Sequence, residues 1–474
     1  MTPIPDTSPL AGLRARLGEG LVMSGPAIAP YCTDWHGDEV SDAIAVLRPH
    51  STPEVAACLR AARELRLSVI PQGGRTGLVL GAVPDAPTSQ VILSLERMNR
   101  IRRIDAAGFT AEVEAGVVLQ ALQDRLAEQN LFFPLALGAQ GSCQIGGNLS
   151  TNAGGLNVLR YGMTRASVLG LEVVLPDGRA LDLCRHLHKD NRGLDLKQLF
   201  IGAEGTLGVI TAAVLKLTPQ PEQTATALLA LDSLDGAIAL YQLARRQCCD
   251  LMSAFEFLPP LAFDLAREAL PDLPLPLSPD APAYVLMDLS GSGLVDIEGL
   301  MTRFLELAFE TGMIRDGVVA QSQTQARNLW LIREGMNHGQ AQRGRHLRTD
   351  LSVPLSALPA FVADAESAIH SALPGAVCVS YGHVGDGNVH LNVLPDPGGD
   401  AGTQIAQAKD ILNKVVARHD GSISAEHGIG RLKRAEFEAG LSDTQRALLT
   451  GIRDLIDPDR MMNPNCQLAA TDRS

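Results

Sequence analysis

Apolar residues recur along this chain at two spacings, and the spacing changes from segment to segment. In TPEVAACLRAARELRL (52–67) they fall three or four positions apart, behind Thr52 at a cap-like position and Pro53 in a first turn, which predicts a helix. Val69 and Ile70 then make a short β-type run that stops at Pro71. VILSLERM (91–98) and TAEVEAGV (110–117) alternate closely enough for strands, and LEVVLPDGRALDL (171–183) reads as a hairpin turning at Asp177 and Gly178. Three glycine-rich turns separate these runs: PQGGRTGLVLGAVP (71–84), GAQGSCQIGGNLSTNAGG (138–155) and IGAEGTLGV (201–209). The first 217 residues are expected to be mixed α/β and to end near TPQPEQ, which reads as a linker.

From Thr218 the texture changes. YVLMDLSG (284–291) and VCVSYGHVGDGNVHLNVL (377–394) are β-rich, VDIEGLMTRFLELAFETG (295–312) has the period of a helix packed on a sheet, and PDLPLPLSPDAP (271–282) is a long Pro-rich loop. Strands with helices on one face predict an α+β second domain. A last helix is expected over 443–456, before the tail MMNPN. The expected domains are 1–217, 218–421 and a C-terminal segment, 422–474, closing the active site.

Composition narrows the function classes. With 46% apolar and 20% charged residues, a large core is expected and global disorder is not. Lys and Arg number 40 against 53 Asp and Glu, a net charge of −13 that opposes binding to nucleic acid. Eight Cys without a CxxC pair do not make a disulfide framework. The opening MTPIPDTSPL lacks the basic and apolar segments of a leader, and runs such as LGVITAAVL (207–215) stop well short of the roughly 20 residues a membrane span needs. A soluble, cytoplasmic protein without a transmembrane segment is expected.

A lone glycine-rich turn is usually a tight loop; three in one domain point to a ligand cradle. Around Gly73, Gly74 and Gly77 successive main-chain N–H groups can form an anion nest suited to a pyrophosphate, with Arg75 and Thr76 adding donors. There is no GxxxxGK[ST], and no GxGxxG followed by the acidic residue of a nicotinamide site. The second candidate is HVGDGNVH (383–390). If Asp386 and Gly387 form a two-residue turn, His383 faces His390, and Tyr381 and Asn392 project from the same face. Two imidazoles would converge there on a cation, with Glu426 of SAEHG (424–428) completing a His₂-carboxylate site. Taken singly, either segment is more often ordinary sheet or surface; together they favour a site.

The combination of PQGGRTGL, IGGNLSTNAGG, RYGMTRASVLGLEVVLPDGR and IGAEGTLGVI resembles the FAD domain of the vanillyl-alcohol oxidase-like flavoproteins, and more narrowly the D-2-hydroxyacid dehydrogenases among them. The resemblance runs nearly the whole length. It implies an α+β protein with a two-lobed FAD-binding domain, an antiparallel-sheet substrate (cap) domain with flanking helices, and a small, mostly helical C-terminal segment. Pro71, Gly73, Gly74, Arg75, Thr76, Gly77 and Leu78 would wrap the pyrophosphate. Asn152, Ala153, Gly154 and Gly155, with Glu204, Gly205, Gly208 and Ile210, would contact the rest of the cofactor. Gly138, Ser142, Gly146, Gly147, Gly162 and Asn463 would join them. The first loop has neither His nor Cys, so FAD would be held non-covalently.

D-2-hydroxyglutarate dehydrogenases carry a similar GHxGDGNxHLN and SAEHG pair. By that resemblance His383, His390 and Glu426 bind a divalent metal, usually zinc, His427 is the catalytic base and substrate contact, and Asn392 also touches substrate. WLIREGMNHG (330–339) matches a stretch in which Arg333 grips a carboxylate, and Asn337 stands where relatives carry Thr. RTDLSVP (348–354) matches another, with Arg348 in place of the usual Lys. The implied reaction oxidises D-2-hydroxyglutarate to 2-oxoglutarate: the hydroxyl, on the metal, loses its proton to His427, and C2 gives a hydride to flavin N5. The electron acceptor would be external, an electron-transfer flavoprotein or a quinone-linked carrier; a homodimer stays open. The alternatives are a D-lactate or D-malate dehydrogenase of the same architecture, a zinc hydrolase with a nucleotide-binding domain, and a non-catalytic flavin-binding subunit.

Overall fold

The computed structural model describes residues 8–86 and 88–469, so the leader reading, which rests chiefly on residues 1–7, lies outside the described residues. The chain divides into two units, the first made of residues 1–155, 162–220 and 426–474 and the second of residues 156–161 and 221–425.

In the first unit a four-stranded sheet runs in the order Val22–Met23, Val46–Leu47, Gln90–Ser94, Ser68–Gln72, and the last three strands are parallel. The helix Thr52–Glu64 makes the crossover and buries Val55, Cys58, Leu59 and Ala62, one face at helical spacing. Its cap is Ser51, not Thr52 as expected. Ser51 is extended and its hydroxyl accepts from Glu54 N–H at 3.4 Å, whereas the Thr52 hydroxyl donates to Glu172 at 2.6 Å. A second, antiparallel sheet is ordered Ile101–Asp105, Thr110–Glu114, Val209–Lys216, Val168–Val174, Ala180–Asp182. The hairpin at Asp177 and Gly178 forms as expected, with Val174 paired to Ala180. The last helix, Asp443–Ile456, belongs to this unit. It starts at a Ser442–Gln445 capping box, and Ile452 and Ile456 pack on the core under the second sheet.

The second unit has a four-stranded antiparallel sheet ordered Met252–Leu258, Ala283–Gly291, Gln223–Leu231, Asp316–Val319. Helices cover both of its faces, not one as expected. Ala225, Ala227 and Leu229 pack toward the helices Leu234–Cys248 and Ile297–Glu310, while Leu228 and Ala230 pack toward Leu261–Ala269 and Gln323–Gln342. A strand buried on both sides reads as a continuous apolar run, and 225–231 is one apart from Thr226. A three-stranded sheet, Leu351–Ser352, Asn388–Leu394, Val377–Tyr381, shares its core with the helices Leu358–Ala372 and Ala401–Arg418. Among the described residues no helix is long and apolar enough to cross a membrane.

Candidate functional site

In the first unit the three glycine-rich turns converge at their roots. A Cβ on Gly74 would lie 2.1 Å from the Ser142 carbonyl oxygen and 2.8 Å from Cys143 Cα, so only glycine lets these two backbones meet. A Cβ on Gly205 would press on Pro71 Cγ at 2.9 Å, which brings in the third turn. Beyond these roots the cradle is open: apart from adjacent residues and, at Gly147, its own helix backbone, no described atom lies within 4 Å of a Cβ built on Gly77, Gly138 or Gly147. Thr76 and Leu78 belong to the same loop. The Arg75 guanidinium turns away, donating to the Pro30 carbonyl at 2.8 Å and lying over the Tyr31 ring. Gly146 abuts Ala115, and its N–H donates to the Ala115 carbonyl at 2.7 Å.

Asn152 Oδ1 accepts from Arg165 N–H at 2.9 Å, and the Ala153 carbonyl accepts from the Thr164 hydroxyl at 2.6 Å. Gly154 faces Glu426, whose Oε2 would lie 2.7 Å from a Cβ there; Gly155 sits beside the Ala136 carbonyl and Gly162 beside Ala166. Gly208 lies against the Val174 carbonyl, and Ile210 is buried in its strand. Glu204, expected at the cofactor, has its carboxylate committed to the chain, accepting from the N–H groups of Ile429 and Gly430 at 2.9 and 2.7 Å. That fixes the segment just after His427, whose Nε2 lies 3.9 Å from Glu426 Oε1. Asn463 donates to the Gly81 and Glu204 carbonyls at 2.8 and 2.7 Å.

The arrangement fits FAD. An open glycine rim offers main-chain N–H groups to a pyrophosphate. Two buried amide oxygens, Gln144 Oε1 and Asn463 Oδ1, have no hydrogen-bond partner among the described residues, as acceptors awaiting a ligand's hydroxyl or ring N–H would.

In the second unit the two-residue hairpin does not form. Tyr381, not His383, is paired with His390, and Val379 with Asn392. Gly382 instead bridges to Phe257, and the chain makes a 3₁₀ turn, Val384–Asp386, closed by Gly387 in the left-handed region at φ +83°. The Asp-Gly signal marked the left-handed residue correctly, but long-range pairing with Phe257 took Gly382 out of the ladder. The imidazoles still meet. His383 and His390 have ring centroids 6.0 Å apart, and each offers a ligand nitrogen within 4.8 Å of the other's.

Their hydrogen bonds orient them. His390 Nδ1 lies 2.9 Å from the Thr349 carbonyl, which can only accept, so Nδ1 carries the proton and the lone pair sits on Nε2. His383 Nδ1 lies 2.5 Å from Glu256 Oε1, also an acceptor only, so in the neutral ring the lone pair again sits on Nε2. Glu256, which sequence reading missed, also accepts from Arg333 Nε at 3.0 Å. Burial alone would raise its carboxyl, but with no metal bound and the His383 ring protonated, the charge and hydrogen bond of His383 and then of Arg333 outweigh burial and hold it at about 2. A lone Glu inside the apolar run SAFEFL (253–258) was the available signal.

Arg333 is buried, stacked over the Tyr381 ring at 4.6 Å, and its terminal nitrogens make no hydrogen bond among the described residues, which leaves a fork for a carboxylate. The Tyr381 hydroxyl donates to Asn337 Oδ1 at 2.8 Å and accepts from Asn392 Nδ2 at 3.1 Å. Asn392 also donates to Gln340 Oε1 at 2.9 Å and accepts from Thr349 N–H at 2.9 Å, so its amide is shared with the protein at both ends. Burial raises the Tyr381 phenol, against the pull of Arg333 and, more weakly, of Arg348, so it stays a donor. Arg348 itself is exposed. The structure thus gathers His383, His390, Arg333, Asn337 and Asn392 in one unit, and adds Glu256, Gln340 and Tyr381.

A family model described as "FAD binding domain" matches residues 43–183, and one described as "FAD linked oxidases, C-terminal domain" matches residues 220–466. The chain is 40% identical over 439 residues to a D-2-hydroxyglutarate dehydrogenase of Xanthomonas citri pv. viticola, covering 92% of this chain and 91% of the relative. It is 38% identical over 455 residues to the mitochondrial D-2-hydroxyglutarate dehydrogenase of Danio rerio, covering 96% and 84%. To a D-2-hydroxyglutarate–pyruvate transhydrogenase of Saccharomyces cerevisiae it is 34% identical over 473 residues, covering 97% and 94%. In fold it is similar to p-cresol methylhydroxylase, with a TM-score of 0.77 at 16% identity over 97% of this chain and 96% of the other. The 4-ethylphenol oxidase of Gulosibacter chungangensis gives 0.74 at 19% identity, covering 99% of each. With both sequence models matched in order and full-length relatives this similar, the chain belongs to the FAD-linked oxidases and is an FAD-dependent dehydrogenase.

Proposed function

We propose that the chain oxidises D-2-hydroxyglutarate to 2-oxoglutarate, using non-covalently held FAD and a divalent metal, most simply zinc. The observation that carries this reading is the pair of imidazoles with both Nδ1 atoms engaged by acceptors, set in the same unit as the open guanidinium fork of Arg333. The names of the relatives supply the substrate.

His383 and His390 would hold the metal through Nε2, with Glu426, carried by the sequence resemblance, as third ligand. The glycine rim would hold FAD. When bound, the metal supplies Lewis acidity toward the α-hydroxyl and FAD a two-electron acceptor at N5. Arg333, with Arg348 as a second cation, binds carboxylate; Tyr381, Asn392, Gln340 and Asn337 keep the polar wall beside it in one arrangement. A ring nitrogen of His427 takes the hydroxyl proton as C2 gives up its hydride and the C–O bond becomes a carbonyl. Reoxidation falls to an external electron-transfer flavoprotein or quinone-linked carrier, and a cytoplasmic location is part of the same proposal.

Anaerobic titration of the purified protein with D- and L-2-hydroxyacids, following flavin bleaching, tests this. D-2-hydroxyglutarate should bleach the flavin fully and its L-enantiomer should not. Bleaching by D-lactate or D-malate alone would replace the substrate, and no bleaching by any of them would overturn the reading.

A further inference from the structure

The strand Met252–Leu258 is buried along its whole length, and a carboxylate in such a place needs compensating partners on both oxygens. Glu256 has one on each: His383 Nδ1 at 2.5 Å from Oε1 and Arg333 Nε at 3.0 Å from Oε2. The partners come from different elements, His383 from the turn before Asn388–Leu394 and Arg333 from the helix Gln323–Gln342. We infer that Glu256 is a positioning residue whose single carboxylate sets the ligand nitrogen of His383 and the aim of Arg333 together, tying the metal site to the carboxylate fork; this rests on the proposed function above.

The reasoning is one of donors and acceptors. With Oε1 accepting from Nδ1, His383 can ligate only through Nε2. With Oε2 accepting from Nε, Arg333 turns its two terminal nitrogens outward as a pair, and the Tyr381 ring under the guanidinium fixes the plane. A glutamine of the same shape brings one acceptor and one NH₂. If its NH₂ faces Arg333 Nε, two donors meet and that tether breaks; if it faces His383, the ring must accept at Nδ1 and carry its proton on Nε2, so the ligand nitrogen is lost.

The test uses the FAD-loaded, chelator-stripped protein and zinc alone. Calorimetry of zinc binding to wild type, Glu256→Gln and His390→Ala should show loss of tight binding in His390→Ala. Glu256→Gln should bind on the order of 10–100-fold more weakly. Cobalt(II) in place of zinc should give a changed visible spectrum in Glu256→Gln, which a merely structural defect at constant thermal stability would not produce. KM for D-2-hydroxyglutarate should rise more than kcat falls. If wild type takes up no zinc in a His390-dependent way, the metal reading itself fails. If it does, and Glu256→Gln matches wild type in zinc affinity, spectrum and KM, the positioning role alone is overturned. Should Glu256→Gln not fold, Glu256→Asp keeps the charge but is one methylene too short to span both donors; wild-type values for both zinc affinity and KM in that variant overturn it equally.

Discussion

A carbonyl oxygen cannot donate a hydrogen bond, and at His390 that constraint decides which nitrogen of the neutral ring carries the proton and which keeps its lone pair. The same residue-by-residue reasoning separates glycines that look alike in sequence. At Gly74 an added methyl would strike the Ser142 carbonyl, so Gly74→Ala should cost about 1–3 kcal/mol of stability and release flavin. At Gly77 nothing described beyond its two chain neighbours lies within 4 Å of an added Cβ, so Gly77→Ala should leave the melting of flavin-stripped protein almost unchanged while weakening FAD binding. Flavin-fluorescence titration beside a thermal melt separates the two; equal FAD affinity in wild type and Gly77→Ala would take that loop out of the cradle. At His427 the proposed role is chemical. His427→Ala should lower the rate of anaerobic flavin reduction about 10²–10⁴-fold with FAD still bound, and near-normal reduction would assign the proton to another group.

Elements were readable from sequence where local signals and long-range packing agree. The helix over 443–456 and the hairpin at Asp177 and Gly178 carry caps and turn residues that suit their neighbours, and both form where expected. The turn at 382–387 carries equally clear local signals, but its course is decided by Phe257, more than a hundred residues earlier, which pairs with Gly382. Glu256 stayed hidden for a related reason: its partners His383 and Arg333 meet it only after the strand, the helix and the turn are assembled. What did survive the misread register is the alternation within Asn388–Leu394, which keeps His390 and Asn392 on one face. The turn makes a test of its own. Gly387 has φ +83°, and a Cβ there would lie 2.4 Å from the Val353 carbonyl. Gly387→Ala should therefore lose about 1–3 kcal/mol and, on the proposed metal site, zinc occupancy as well, because the segment so strained holds His383 on one side and leads to His390 on the other. Metal analysis of the folded variant checks this, and full zinc content would show that the turn does not set the ligands.

Over the whole molecule, two carboxyls of the second unit tilt stability with pH in opposite directions. Glu256, held at about 2, contributes stability that is present above its unfolded value of roughly 4.3 and disappears as pH falls toward 2. Asp288 behaves the other way. Burial pushes its carboxyl up to about 6, against hydrogen bonds from Thr226 and Trp330. Below its unfolded value of roughly 3.9 the group is protonated in both states and adds nothing unfavourable. Between about 4 and 6 the folded protein still holds a proton that the unfolded chain has released, so stability drains away as pH rises through that window. A displacement of about two pH units at about 1.4 kcal/mol each gives a loss on the order of 3 kcal/mol by neutrality. Asp288→Asn cannot ionise, and its amide can still accept from Trp330 Nε1, which lies 3.1 Å from Oδ2. Urea unfolding of chelator-stripped wild type and variant from pH 4 to 7, with metal-linked protons removed from the comparison, should therefore show the variant gaining on wild type as pH rises. Parallel stability curves across that range would mean that the Asp288 carboxyl is already ionised in the folded protein at pH 4.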